Sequence, residues 1–541
     1  MTATSVIMSA LTLAATSGDL PVNGGVRLPE SLVGNPLVEE WDTPYQTPPF
    51  SEIELAHYEP AFDYAIAVNR AEVEAIINNP EAPTFENTIV AMTESGELLG
   101  RVAGLFFVLN NCSTSDEMQQ IAMNITPKLT ELENDISLNP ELFARVKAVY
   151  DQRKKLKLDE QDMQLLEDTY KGFARSGALL EGRDKELYRE YSSELSQLTL
   201  KFGQNAQAAT NAFSYNITDP AKVEELPAFV KEGLAAEAEA RGEKGWTVTL
   251  HAPSYSPFMT YSTQRDIKEA LYRAYNTRGI GGETDNVENI RRIAELRLKI
   301  ANLLGYKCYA DYVLEDRMAE STKTVNGFLA ELNKATLSYA KKDVAAITEY
   351  AHSLGFEGEL APWDFGYYNE KYKEAKYAIN DEQIKPYLQL ENVKNAVFML
   401  AGKLYGLTFT PVDNIETYHP EATVYEVRDD KGELMAILYL DFFPRESKRQ
   451  GAWMTEFRGV KVKDGKEQRP LVQLVMNFTK PTANTPSLLT FDEFTTFLHE
   501  FGHGLHGILA RGKYESINGT SVKRDFVELP SQIMENWATE K

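Results

Sequence analysis

The 541-residue chain has only two cysteines, Cys112 and Cys308. So few thiols exclude a disulfide framework and a cysteine-rich metal site, and two free thiols are expected. Basic residues are also short, with 56 Lys and Arg against 80 Asp and Glu and a net charge of -24. An acidic chain repels phosphate, so nucleic acid is not an expected partner and broad docking on anionic lipid is disfavoured. No apolar run approaches the roughly 20 residues that a membrane span needs. Val6–Ala15 is apolar and resembles the core of an export signal, yet no Lys or Arg precedes Arg27. The basic leader of such signals is therefore missing. An export signal and a plain disordered leader both stay open. So do a periplasmic and a cytoplasmic location, with a slight lean to the cytoplasm. No repeat of fixed period is present, which disfavours a regular solenoid.

What the chain does have is ordinary globular composition, with 43% hydrophobic and 25% charged residues, and ample material for a large core. Residues 1–34 are expected to be a leader or disordered arm, since 19–50 are rich in Pro, Gly and Asn without helical periodicity. From about 51 to 415 apolar residues recur at three- and four-residue spacings, most strongly over 184–210, 263–275, 287–304 and 321–354. This predicts an N-terminal helical region over 35–260 and a second region, carrying the chemistry, over 261–541. Strands are expected at 423–427, 434–440 and 471–478. Gly279–Gly282 reads as a connector, because no strand precedes it and no Gly-Lys-Ser/Thr follows.

Histidine is scarce, at seven residues, and two of the seven make a motif. His499-Glu500-Phe501-Gly502-His503 is an H-E-x-x-H sequence. Random placement of seven histidines and 80 acidic residues would give roughly 0.01 such motifs. Thr490 and Glu493 form a capping-box signature, so a helix should begin near Phe491 and run to about Ala510. On a helix, residues four apart share a face, so both imidazoles can reach one metal ion. Glu500 lies on the flank of that face, where it can approach a metal-bound water.

Catalytic zinc usually takes three protein ligands and leaves a position for water. The H-E-x-x-H-x-x-G-x-x-H pattern is excluded, because His506 and Leu509 stand in its last two defined slots. No later histidine exists, so the third ligand should be a carboxylate: Glu515, Glu528, Glu535 or Glu540. Glu528 is favoured, because Pro530 places it at the start of a new helix. Glu515 lies in a polar connector, where a solvated role is expected.

His499 to His506 (HEFGHGLH), with Arg524 to Gln532 (RDFVELPSQ), resembles the thimet-oligopeptidase family of zinc metallopeptidases. Asn79 to Val90 (NPEAPTFENTIV) and Leu440 to Trp453 (LDFFPRESKRQGAW) are similar to its bacterial peptidyl-dipeptidase branch. The resemblance runs from about Asn35 to the last residue. It implies a mostly α, two-lobed helical fold with a deep channel and a small β-sheet near the H-E-x-x-H helix. It further implies one Zn2+ ion held by His499, His503 and Glu528, with Glu500 as catalytic base. Short peptides are the implied substrates, and release of carboxy-terminal dipeptides is the favoured mode. An endo-acting oligopeptidase and a non-catalytic zinc- and peptide-binding protein are the alternatives. Members of the family continue for well over a hundred residues past this point, so the chain is expected to be C-terminally truncated. A monomer is expected.

The remaining candidates are secondary. His506 is expected to pack or support the site rather than ligate. Asp525 could orient a ligand imidazole or cap a turn. Arg445, Lys448 and Arg449 could attract a substrate carboxylate. The strands at 434–440 and 471–478 could receive an extended peptide by edge addition. His57, His251, His352 and His419 are expected to be structural.

Overall fold

The computed structural model describes residues 22–463 and 465–540. The export-signal question concerns residues 1–21 and lies outside them. From residue 22 onward the expected arm is docked. Val22–Asn23 pairs with Val26–Arg27, and Leu28, Leu32 and Leu37 are buried in a helical core. Burying each such side chain is worth about 1.5–3 kcal/mol, enough to hold irregular chain against the body.

Helix α1 (Tyr58–Ile77) and helix α2 (Glu97–Cys112) build that first core. Phe62 of α1 meets Phe106 of α2 edge to face at 5.5 Å. The four strongest periodic stretches are helices at Gly182–Ala212, Arg265–Asn276, Val287–Leu303 and Thr322–Ser353. Each lies within two residues of its expected ends. The chain is mostly helical, with one principal sheet.

Helix α3 (Leu390–Tyr405) precedes that sheet. Its strands are β1 (Thr408–Pro411), β2 (Thr423–Arg428), β3 (Leu434–Asp441), β4 (Trp453–Arg458) and β5 (Leu471–Val475). Their order is β1-β2-β3-β5-β4. The β3–β5 pair is parallel and the others are antiparallel. Met435–Asp441 and all of β5 are buried. Both faces of these central strands are covered, which is why they read as unbroken apolar runs. One face packs on α3 and on α4 (Phe491–Ile508) through Val397, Leu438, Leu474, Phe497 and Phe501. On the other side Val475 joins the α1–α2 core.

The three expected strands are present, the last ending early at Val475. Strands β1 and β4 were not anticipated: β1 contains a proline and β4 is half-buried along its length. This placement corrects the edge-addition expectation. β3 and β5 are central, with neighbours on both sides, so a peptide could add only to β1 or β4. Both cysteines are free. Among the described residues no helix is long and apolar enough to cross a membrane.

Candidate metal centre

Helix α4 starts where its capping box sits. The Thr490 hydroxyl accepts the Glu493 N–H at 3.0 Å, and the Glu493 carboxylate accepts the Thr490 N–H at 2.8 Å. Glu493 also takes the Thr479 N–H at 2.7 Å, tying the helix start to the chain leaving β5. Three glycines then interrupt α4, each costing about 1 kcal/mol relative to alanine in a free helix. Close packing accounts for all three. A Cβ on Gly502 would lie 2.6 Å from Pro530 O and Ser531 Cα; one on Gly504 would lie 3.2 Å from Leu474, and one on Gly507 2.5 Å from Glu456 Oε1. The first of these contacts lets helix α5 (Glu528–Glu535) lie directly against α4.

That approach assembles the site. Glu528 Oε2 is 3.0 Å from His503 Nε2 and 3.2 Å from His499 Nε2. The two imidazoles stand 5.0 Å apart between centroids, with their planes 84° apart. One donor atom from each of the three side chains falls within 4.8 Å of the others. A tetrahedral zinc with bonds of about 2.0–2.1 Å separates its donors by roughly 3.4 Å. The two nitrogens and the carboxylate oxygen therefore suit such an ion in both chemistry and spacing. Burial raises the Glu528 carboxyl, but the Ser531 hydroxyl and the two histidines outweigh it and hold its pKa below the ordinary value. Burial lowers His503. Both shifts favour the deprotonated forms that bind metal.

Glu500 is 6% exposed and stands outside the three-residue cluster. Burial, with Glu528 nearby, pushes its pKa up to about 7 against an opposing pull from His499. Glu535 accepts from His499 Nδ1 at 2.6 Å. This residue orients the imidazole from behind, the role considered for Asp525. Asp525 instead takes the N–H groups of Met318 and Ala319, both at 3.0 Å, and anchors the turn before α5. The signal for Glu535 was its spacing: it lies seven residues after Glu528, two turns along one helix face. Glu515 bonds Gly459 N at 2.9 Å and Glu540 is exposed, so neither joins the cluster.

His506 stays outside the donor set, its Nδ1 buried without a hydrogen-bond partner among the described residues. The other four histidines serve local structure. His57 accepts from Glu54 N, His419 from Glu421 N, His352 meets Gly358 O and His251 meets Gln450. The three cations of the β3–β4 loop divide. Lys448 and Arg445 each lie 2.7 Å from the fully buried Asp441 carboxylate, and are consumed by it. Arg449 has no ion pair among the described residues and stacks on Trp453. The loop itself is bonded to the end of α2, through Thr114 N to Ser447 O at 2.8 Å and Arg449 N to Asn111 O at 2.9 Å.

The chain is similar to known proteins along most of its length. The profile of Peptidase family M3 matches residues 258–541. Dipeptidyl carboxypeptidase of Escherichia coli (strain K12) is 37% identical over 511 residues, covering 93% of this chain and 74% of that protein. Oligopeptidase A of Salmonella typhimurium is 34% identical over 513 residues, covering 94% of this chain and 75% of that protein. The probable cytosolic oligopeptidase A of Arabidopsis thaliana is 31% identical over 524 residues, covering 94% and 74%.

Proposed function

The chain belongs to peptidase family M3 and is a metallopeptidase, and from that premise we propose that it releases dipeptides from the carboxyl end of short peptides with one zinc ion. The observation that carries the proposal is the convergence of Glu528 Oε2 on both imidazole Nε2 atoms beside a buried, proton-accepting Glu500. His499, His503 and Glu528 are the zinc ligands. All four side chains come from one chain, so a monomer suffices. The catalytic region is 261–541, in keeping with a family match that begins at residue 258, and 35–260 is the helical region before it.

Zinc held there by His499, His503 and Glu528 would supply Lewis acidity, making water more acidic and polarising the peptide carbonyl. Glu500 accepts the proton of the attacking water. It then returns that proton to the departing amine as the C–N bond breaks. A carboxyl poised near neutrality can do both, and such acid–base work contributes typically 10²–10⁴-fold. Glu535 keeps the His499 ring fixed, with Nε2 turned towards Glu528.

Endo-cleavage of oligopeptides is the second reading, favoured by the similarity to oligopeptidase A. Peptides matched in sequence but carrying free or amidated carboxyl ends separate the two. Amidation abolishes dipeptide release and leaves internal cleavage intact. Cleavage of both sets at equal rates would overturn the dipeptidase reading. Hydrolysis that survives full removal of metal by a chelator would overturn the zinc mechanism.

A further inference from the structure

The N-terminal helical region holds an open cavity of about 410 Å³ that shares no residue with the metal centre. Its walls come from α1, α2 and the helices Asp116–Ser137 and Glu160–Arg175. The last two each turn a stripe of side chains towards it. Leu129, Leu132, Glu133, Ile136 and Ser137 follow one another at helical spacing, and so do Thr169, Gly172, Phe173 and Ser176. Such stripes are the faces that helices ordinarily pack together. Here they flank a space between two separate apolar clusters, one joined by Leu129 and the other by Ile136 and Phe173.

Gly172 helps to keep that space open. It sits inside a helix, where glycine costs about 1 kcal/mol relative to alanine. Unlike the three glycines of α4, it is not required by a close contact, since a Cβ there would meet nothing within 4 Å.

The polar groups of the lining point to a ligand. Asn69 is 6% exposed and lines the cavity, yet its side-chain amide has no hydrogen bond among the described residues. A buried amide without a partner is costly, and such groups are rare in native folds. Glu133 is the only charged residue of the lining and has no ion pair among the described residues. No Lys, Arg or His lines the cavity, so an anion would find no counter-charge there. Leu99, Leu132, Ile136 and Phe173 offer an apolar wall.

We propose that this cavity binds a small apolar amine. Its ammonium donates to the Asn69 carbonyl oxygen and the Glu133 carboxylate, and its hydrocarbon body lies on Leu99, Leu132, Ile136 and Phe173. Hydrogen bonds that involve a charge are roughly twice as strong as neutral ones, so two acceptors on one ammonium select it over an acid of the same shape. The volume of about 410 Å³ falls in the roughly 300–1,000 Å³ range of small-molecule pockets. All the lining residues lie between 69 and 176, so the proposal does not depend on the peptidase reading.

Calorimetric titration of the full chain with 2-phenylethylamine and with 3-phenylpropionate tests it. The amine binds at least tenfold more tightly than the acid, and excess chelator leaves its binding unchanged. Gly172→Leu fills the cavity and weakens amine binding at least tenfold, with a melting temperature no lower than the parent's, because leucine is the better helix former. Glu133→Gln, at an exposed residue, cuts the preference for the amine to less than threefold. Equal binding of amine and acid, or no binding of either at millimolar concentration, would overturn the site. So would amine binding that is lost with the metal, that is undiminished in Gly172→Leu, or that keeps its full preference in Glu133→Gln.

Discussion

Glu500, Glu535 and Glu528 are all glutamates on two adjoining helices, yet their surroundings give them different work. Glu528 is turned onto two imidazoles and stabilised by Ser531, so it stays a charged donor. Glu500 is buried beside it and retains a proton up to about pH 7. Glu535 bonds the far side of His499. Their replacements should therefore separate. Glu500→Gln keeps its metal content by elemental analysis and loses at least 10²-fold in hydrolysis; full activity would remove it as the base. Glu535→Gln keeps residual hydrolysis at saturating zinc but weakens zinc affinity by about 10–100-fold, as measured by competition with a chelator. Unchanged affinity would reduce its contact with His499 to incidental packing.

At the level of elements, the site exists because α4 and α5 lie closer than ordinary side chains allow. Gly502 is the reason, since any Cβ there would overlap the backbone of Pro530 and Ser531. Gly502→Ala must push α5 away and carry Glu528 off the imidazoles. The expected result is loss of bound zinc together with a stability cost of about 1–3 kcal/mol, the usual cost of overpacking. Denaturant melts with and without zinc measure both. A Gly502→Ala protein that binds zinc like the parent chain would show that the helices are not held at their limit of approach. The glycine was visible in the sequence as an unremarked x of the motif; its partner atoms come from 28 and 29 residues later, which no local pattern encodes.

Across the whole molecule, the N-terminal helices and the sheet are joined at a polar, partly buried seam. Asp441, Arg445 and Lys448 form an ion cluster, Tyr418 donates to Asp441 at 2.7 Å, and the β3–β4 loop is bonded to the end of α2. Glu456 lies on the opposite face of the sheet, against Gly507 of α4, and gives stability a pH dependence with a definite sign. Its folded pKa of about 7 stands above the reference value of 4.5, so the folded state binds its proton more tightly. The stabilisation is complete below about pH 4.5 and is lost as pH rises through 7. The gap is worth at most about 3 kcal/mol, less where water screens the charge. Between pH 5 and pH 8 the parent chain should therefore lose more melting temperature than Glu456→Gln. Parallel pH profiles for the two proteins would contradict the assignment.

Much of this protein was legible one residue at a time. The H-E-x-x-H spacing, the Thr490–Glu493 capping box and the proline two residues after Glu528 depend on contacts within a turn or two. Helical periodicity and the motif could therefore specify the H-E-x-x-H helix, its start and the glutamate that packs against its two histidines. The buried runs of β3 and β5 were legible for a related reason, because burial on both faces leaves an apolar stretch whatever its neighbours are. Strand order was not legible, and so the wrong strands were expected to offer an edge. The choice of Glu535 over Asp525 as the support for His499, and the pairing of Asp441 with two of three neighbouring cations, were equally hidden. Each depends on which side chains meet across long stretches of chain. Tertiary packing alone decides that, because a carboxylate's role is set by the charges and burial around it and not by its place in the sequence.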